Sequence, residues 1–254
     1  MTLVWMPTYR CCLKCSYCAA RALPNDTHGL PENELTGAQW LDIFAASPRR
    51  ITQVAISGGE PAVYGDLPAV LAATEWRFAI DTNLRIDPAR WLKPQMYERV
   101  VAVNCGLHFH PAHEEAVEYW RRLQWLREVL PAEAQVVCCQ VVLWRDLADG
   151  SEEARIRAEQ ISGVEYRPLT FDDTYLFKDR YPVNPGRRAG CAAGSDFLSI
   201  CPDGAVYRCI GHTYFKVDCL GNLRDGWGFL REGMTPCETL FCTICDMTDQ
   251  TLTD

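Results

Sequence analysis

The sequence has no apolar run approaching the ~20 residues that a membrane-spanning helix needs. Its first residues also lack the charged-then-apolar order of a secretory signal. It carries no repeat and no low-complexity tract. Basic charge is short, with 25 Lys and Arg against 33 Asp and Glu and a formal charge of -8. That balance argues against a nucleic-acid partner gripped through its phosphates. The expectation is a cytoplasmic protein with neither a membrane nor a nucleic-acid partner. Histidine is scarce, at five residues, whereas cysteine is abundant, at fourteen. In a reducing compartment so many thiols read as metal ligands or reactive groups more readily than as disulfides. A hydrophobic share of 48% with eight tryptophans supports a real core, and 254 residues suffice for one large domain or a barrel with an appendage.

Three cysteines form an array near the start. Residues 9–20 read Y-R-C-C-L-K-C-S-Y-C-A-A, which sets Cys11, Cys15 and Cys18 in C-x3-C-x2-C spacing directly after a short apolar run. Three thiolates can ligate three irons of a cubic iron-sulfur cluster, and the fourth iron is left open to a substrate or cofactor. A zinc knuckle would need a second ligand pair within about twenty residues, and none follows. Inert buried thiols are the other plain reading, set against Arg10 and Lys14, whose charges favour thiolates. With aromatic Tyr17 just ahead of its last cysteine, the array resembles that of the radical S-adenosylmethionine (radical SAM) enzymes. The resemblance implies a 4Fe-4S cluster on Cys11, Cys15 and Cys18, with SAM chelated to the open iron. It also implies reductive cleavage of SAM to an organic radical, with the electron supplied by an external flavodoxin- or ferredoxin-type donor.

Residues 3–8 suit a buried first strand that delivers the cysteine loop at its C-terminal end. Apolar patterning then predicts helix over 35–46, strand over 52–57, helix over 66–74 and strands over 78–82 and 100–107. A long helix over 112–129, carrying Trp120 and Trp125, and strands over 135–143 and 164–169 complete the alternation. Strands alternating with helices predict parallel pairing through right-handed crossovers. Six units are too few for a closed eight-stranded barrel. The expected fold is therefore α/β, a partial (β/α)6 TIM-like barrel over residues 1–171, with its site at the C-terminal strand ends. Residues 172–190, rich in prolines and polar groups, read as a linker or lid, and 191–254 as a small cysteine-rich domain.

The second strand ends in Gly58-Gly59-Glu60-Pro61, where two glycines allow close backbone approach and the proline fixes the exit. Alone this is an ordinary turn. After a cysteine loop and a strand it matches the family's second motif, and the resemblance assigns Gly58, Gly59 and Glu60 to the methionyl amino group of SAM. The third strand closes with Asp81-Thr82-Asn83, either a capped turn or a cofactor contact through Thr82 and Asn83. The fourth runs into His108-Phe109-His110-Pro111, followed by His113. Alternation puts His108 and His110 on one face. A non-haem metal site lacks a carboxylate in register, so core packing or SAM contact suits His108, and proton transfer is the sharper reading of His110.

Residues 197–201 and 205–209 flank Pro202-Asp203-Gly204, a hairpin signal. Cys191, Cys209 and the C-x2-C pair Cys242 and Cys245 resemble the Twitch appendage, a shortened SPASM domain. That implies an auxiliary 4Fe-4S cluster on these four thiolates. The chain ends nine residues past Cys245, so a second auxiliary cluster is not expected. Cys237 or Cys219 could replace one ligand, and structural zinc is the plainer alternative.

The doubled cysteine in R-C-C-L-K-C departs from the commoner loop and resembles the radical SAM enzymes of arsinothricin biosynthesis. This implies transfer of the 3-amino-3-carboxypropyl group of SAM to trivalent arsenic, with Cys12 in a catalytic role. Soft thiolates suit a soft metalloid. Cys201 and Cys219 are a candidate thiol pair, while Cys138-Cys139 in an apolar strand read as packing. Size and tail spacing instead resemble the Twitch-bearing dehydrogenases of 2-deoxystreptamine biosynthesis. There a 5'-deoxyadenosyl radical abstracts hydrogen from an aminocyclitol and a base takes the proton, here Arg167 or His110. A ribosomal peptide is a third substrate class, although only ten residues precede Cys11, where such enzymes usually carry a recognition domain. A non-catalytic iron-sulfur or zinc redox module would have no use for the glycine motif. The expectation is an enzyme of natural-product biosynthesis acting on a small molecule.

Overall fold

In a computed structural model, the structure describes residues 1–15, 18, 33–108, 113–143, 151–171, 188–191, 193–210, 213, 219–230 and 235–237, with backbone alone at 141–143, 169–171, 188–191 and 235–237. Its elements are β1 (Thr2–Trp5), α1 (Gly37–Ala45), β2 (Gln53–Ile56), α2 (Leu67–Ala73), β3 (Arg77–Thr82), β4 (Val100–Leu107), α3 (Glu114–Val129), β5 (Gln135–Leu143), α4 (Ser151–Glu159), β6 (Val164–Phe171), β7 (Arg188–Cys191), β8 (Phe197–Ile200), β9 (Ala205–Tyr207), β10 (Cys219–Asn222) and β11 (Thr235–Cys237).

Nine strands form one sheet in the order β10-β9-β8-β1-β2-β3-β4-β5-β6, and β11 pairs with β7 apart from it. Strands β1 to β6 are parallel and lie in chain order, the α/β arrangement that strand-helix alternation predicts. Each crossover steps one place along the sheet. On the other side of β1 lies β8, also parallel to it. The hairpin at Pro202-Asp203-Gly204 forms as an antiparallel β8–β9 pair, with Gly204 at φ 86 in its turn. Strand β10 then adds antiparallel to β9. Strands from before residue 172 and after residue 190 thus share one sheet, whose edges are β6 and β10. The segment expected to separate two domains lies largely outside the described residues.

Alternation along each strand sends one set of apolar side chains to the helical face. Leu3, Trp5, Val54, Ile56, Phe78, Ile80, Val103 and Val136 meet Trp40 and Phe44 of α1, Leu67 and Leu71 of α2, Leu123 and Leu126 of α3 and Ala154 of α4 in one core. Trp5 is its hub. The ring stands edge-on to Trp40, Phe44, Tyr64 and Trp76 at centroid distances of 5.6, 5.7, 6.3 and 6.3 Å. Such pairs add ~0.5–1.5 kcal/mol each beyond their burial, and here they anchor the point where the chain leaves β1. The opposite face holds a smaller cluster of Val4, Met6, Tyr9, Cys201 and Tyr207.

Boundaries shift where side chains compete. β1 ends at Trp5 rather than at 8, because the Thr8 carbonyl turns to accept from Gly59 N. The helix expected from 112 starts at Glu114, since His113 caps it, accepting from Glu115 N at 3.2 Å. Among the described residues no helix is long and apolar enough to cross a membrane.

Candidate functional site

The loop that carries the first cysteines is tied down before it reaches them. The Thr8 hydroxyl donates to the Glu34 carboxylate and accepts from Arg10 N at 2.9 Å. The Arg10 guanidinium forks onto the same carboxylate, Nη2 to Oε2 at 2.8 Å. Arg10 therefore does not serve the thiols as expected, because Glu34 neutralises its charge. Gly59 N donates to Thr8 O and Glu60 N to Arg10 O, both at 2.9 Å. A Cβ on Gly59 would stand 2.2 Å from Arg10 O, and one on Gly58, at φ 112, would stand 2.6 Å from Thr8 O. The missing side chains let the turn after β2 lie directly on the loop stem. Pro61 then opens a single 3₁₀ turn, Pro61–Val63, capped by the Glu60 side chain.

Glu60 joins two strand ends. Its carboxyl, 1% exposed, accepts from Thr82 Oγ1 at 2.9 Å, Asn83 N at 2.7 Å and Ala62 N at 3.2 Å. Burial outweighs these donors and pushes it up to about 7. Asn83 in turn aims its amide at the thiols, with Nδ2 3.6 Å from Cys11 Sγ and 3.5 Å from Cys12 Sγ. The hydrogen bond between the two thiols lowers Cys12 to about 6 against the cost of its burial, and raises Cys11. Cys15 Sγ lies 3.8 Å from His108 Nδ1. The His108 ring folds over Gly106, where a Cβ would stand 2.4 Å from Nε2. Burial lowers His108 to about 4, so the ring is neutral.

Other expected residues fall differently. Cys138 and Cys139 are buried, and burial raises them to about 11 and about 12, as packing thiols should be. Cys201 is fully buried and accepts the Tyr9 hydroxyl at 2.9 Å, whereas Cys219 is exposed. Arg167, on β6, pairs with Glu165 at 2.8 Å, which raises its pKa. A guanidinium so held is a poor base, because it keeps its proton. Cys18 is half-buried, its N–H donating to Cys15 O at 3.3 Å. Cys209 follows β9. The backbone of Cys191 lies in β7, opposite Thr235 of β11, the strand that ends at Cys237. Tyr17, His110, Cys242 and Cys245 lie outside the described residues.

Among the described residues no three His, Cys, Asp or Glu side chains stand close enough to hold one metal ion. A cubic cluster asks something different, one thiolate on each of three separate irons. The donors fit that demand in kind: three cysteines at the C-terminal end of β1, on a braced stem, with the Asn83 amide and a neutral His108 beside their sulfurs. Compared against models of known protein families, the chain matches none.

Three features of this site had no sequence signal: Glu34 under the loop stem, Arg85, whose charge helps to lower Cys12, and the Tyr9–Cys201 contact. Each depends on which strand ends become neighbours.

Proposed function

We propose that the chain is a cytoplasmic radical SAM enzyme in which Cys11, Cys15 and Cys18 hold a 4Fe-4S cluster. The observation that carries this reading is the junction at Asn83, where the cysteine loop, the glycine motif through Glu60 and the end of β3 meet. When bound and reduced by a flavodoxin- or ferredoxin-type donor, the cluster supplies the electron that cleaves a carbon-sulfur bond of SAM. The chain's own part is placement. Glu60 locks the β2 and β3 ends at one depth, and its buried carboxyl offers an acceptor to an ammonium group. Asn83 and His108 present polar atoms to sulfur without adding charge.

For the specific reaction we favour transfer of the 3-amino-3-carboxypropyl group of SAM to trivalent arsenic, within natural-product biosynthesis. Cys12 supports it: an exposed thiol that the cluster does not need, held beside Cys11 by Asn83, is suited to a soft metalloid. The same proposal includes a partial barrel around the sheet and a Twitch-type auxiliary 4Fe-4S cluster on Cys191, Cys209, Cys242 and Cys245. The β7–β11 pairing, which sets the Cys191 and Cys237 strands side by side, keeps Cys237 as a substitute ligand.

Anaerobic reconstitution with iron and sulfide counting tests the clusters: about eight irons indicate two and about four indicate one. Incubating the reduced protein with SAM and arsenite then identifies the reaction. Methylthioadenosine with a carbon-arsenic product is expected. 5'-Deoxyadenosine with methionine would move the reading to hydrogen abstraction from a cyclitol or peptide, and bound zinc without SAM cleavage would sink it.

A further inference from the structure

Leu84 is the one described residue other than glycine with a positive φ, at 55. The left-handed conformation is disfavoured for a residue that bears a side chain, and such strain collects at functional sites. Leu84 is 1% exposed, so the core needs its side chain and glycine would not serve. Three groups hold the turn. Thr82 Oγ1 accepts from Leu84 N at 3.2 Å, and Asn83 Oδ1 accepts from Arg85 N at 2.9 Å. Arg122, reaching over from α3, donates from Nη1 to Leu84 O at 2.6 Å and to Arg85 O at 2.8 Å. The Arg122 head is 17% exposed and meets Glu118 only at 3.5 Å. Withdrawing a charge from water to bind two carbonyls is costly, which makes sense if the shape of the turn matters. The residue whose direction this turn sets is Asn83.

We propose that Arg122 is a positioning residue: by clamping the left-handed turn at 83–85 it aims the Asn83 amide at Cys11 and Cys12. Its consequence for catalysis rests on the radical SAM reading, but the aiming itself does not.

The test uses the full-length chain purified anaerobically and measures alkylation of Cys12 by iodoacetamide, with exposed Cys219 as the internal reference and peptide mass spectrometry as the readout. In Arg122→Met the loss of both clamp bonds moves the Cys12 to Cys219 rate ratio about fivefold away from wild type. Arg122→Lys, a point donor in place of a planar fork, gives an intermediate ratio. In the double variant Arg122→Met with Leu84→Gly, glycine takes the left-handed conformation without help. The ratio then returns to within about twofold of wild type even as the melting temperature falls further, because glycine relieves the strain while removing a buried side chain. A merely structural arginine would make the double variant worse on both measures, and that result overturns the proposal. So does a ratio equal to wild type in both single Arg122 variants. If the reconstituted wild type cleaves no SAM, the functional reading fails while the alkylation ratios still decide the clamp.

Discussion

Replacing Glu60 with glutamine and following folding stability against pH tests the junction on which the site rests. The Glu60 carboxyl is pushed from 4.5 to about 7 by burial, working against the bonds it accepts from Asn83 N, Ala62 N and Thr82 Oγ1. The folded chain therefore holds this proton more tightly than the unfolded chain. Its contribution to stability is complete below pH 4.5 and is lost as pH rises through 7. The gap between those values, at 1.36 kcal/mol per pH unit, amounts to about 3 kcal/mol. Glutamine has no proton to lose. It does turn an amide N–H toward one of the three donors, a cost of about 1–3 kcal/mol that does not vary with pH. The stability difference between variant and wild type should thus move by about 3 kcal/mol in favour of glutamine between pH 4.5 and 7.5. Urea unfolding followed by tryptophan fluorescence, in anaerobic buffer without SAM, measures it at each pH. A difference that stays constant would mean that Glu60 titrates as an open carboxylate, and the buried β2–β3 junction would be refuted. A difference moving the opposite way would mean that the three donors outweigh burial.

The close approach of the glycine motif to the loop stem predicts that Gly59→Ala, whose Cβ would meet two carbonyl oxygens, costs about 3 kcal/mol in urea unfolding. Gly65→Ala, with open space at its Cβ, is the neutral control. Trp5→Ala removes the hub of the aromatic core and should cost about 3–5 kcal/mol by the same measurement; a loss below about 1 kcal/mol would show that the ring does not anchor β1. Glu34→Gln leaves the Arg10 charge without its partner and loosens the loop stem. Faster alkylation of Cys11, with Cys138 unchanged, is the expected outcome in peptide mapping, and equal rates at Cys11 would contradict the bracing role.

Local pattern made the sheet readable. The apolar runs at 100–107 and 135–143 have the length of strands and end in turn-forming or polar residues, and β4 and β5 occupy those same residues. The β8–β9 hairpin follows from Pro202-Asp203-Gly204, because only a few conformations close that turn. Misplacements came where a side chain overrode the pattern, as when His113 capped α3 and Thr8 left the strand to meet Gly59. β10 was not foreseen, since Cys219–Asn222 is too short and too glycine-rich to declare itself as a strand.

The site divides along the same line. Spacing within one loop or one turn is a property of the chain itself, so the cysteine array and Gly58-Gly59-Glu60-Pro61 could be picked out as strings. What those strings touch is decided by strand order and register, which join residues 72 positions apart at Asn83 and Cys11 and 192 apart at Tyr9 and Cys201. Only that packing shows Glu34 consuming the charge of Arg10, burial lifting Glu60 to about 7, and Arg122 holding a leucine in a conformation that its own sequence disfavours. By itself the sequence determined most of the parallel strands and the helices between them, and which strings of residues could carry chemistry. The tertiary structure decided their partners, because burial and hydrogen-bond supply at a strand end depend on the neighbouring strands rather than on the neighbours in the chain.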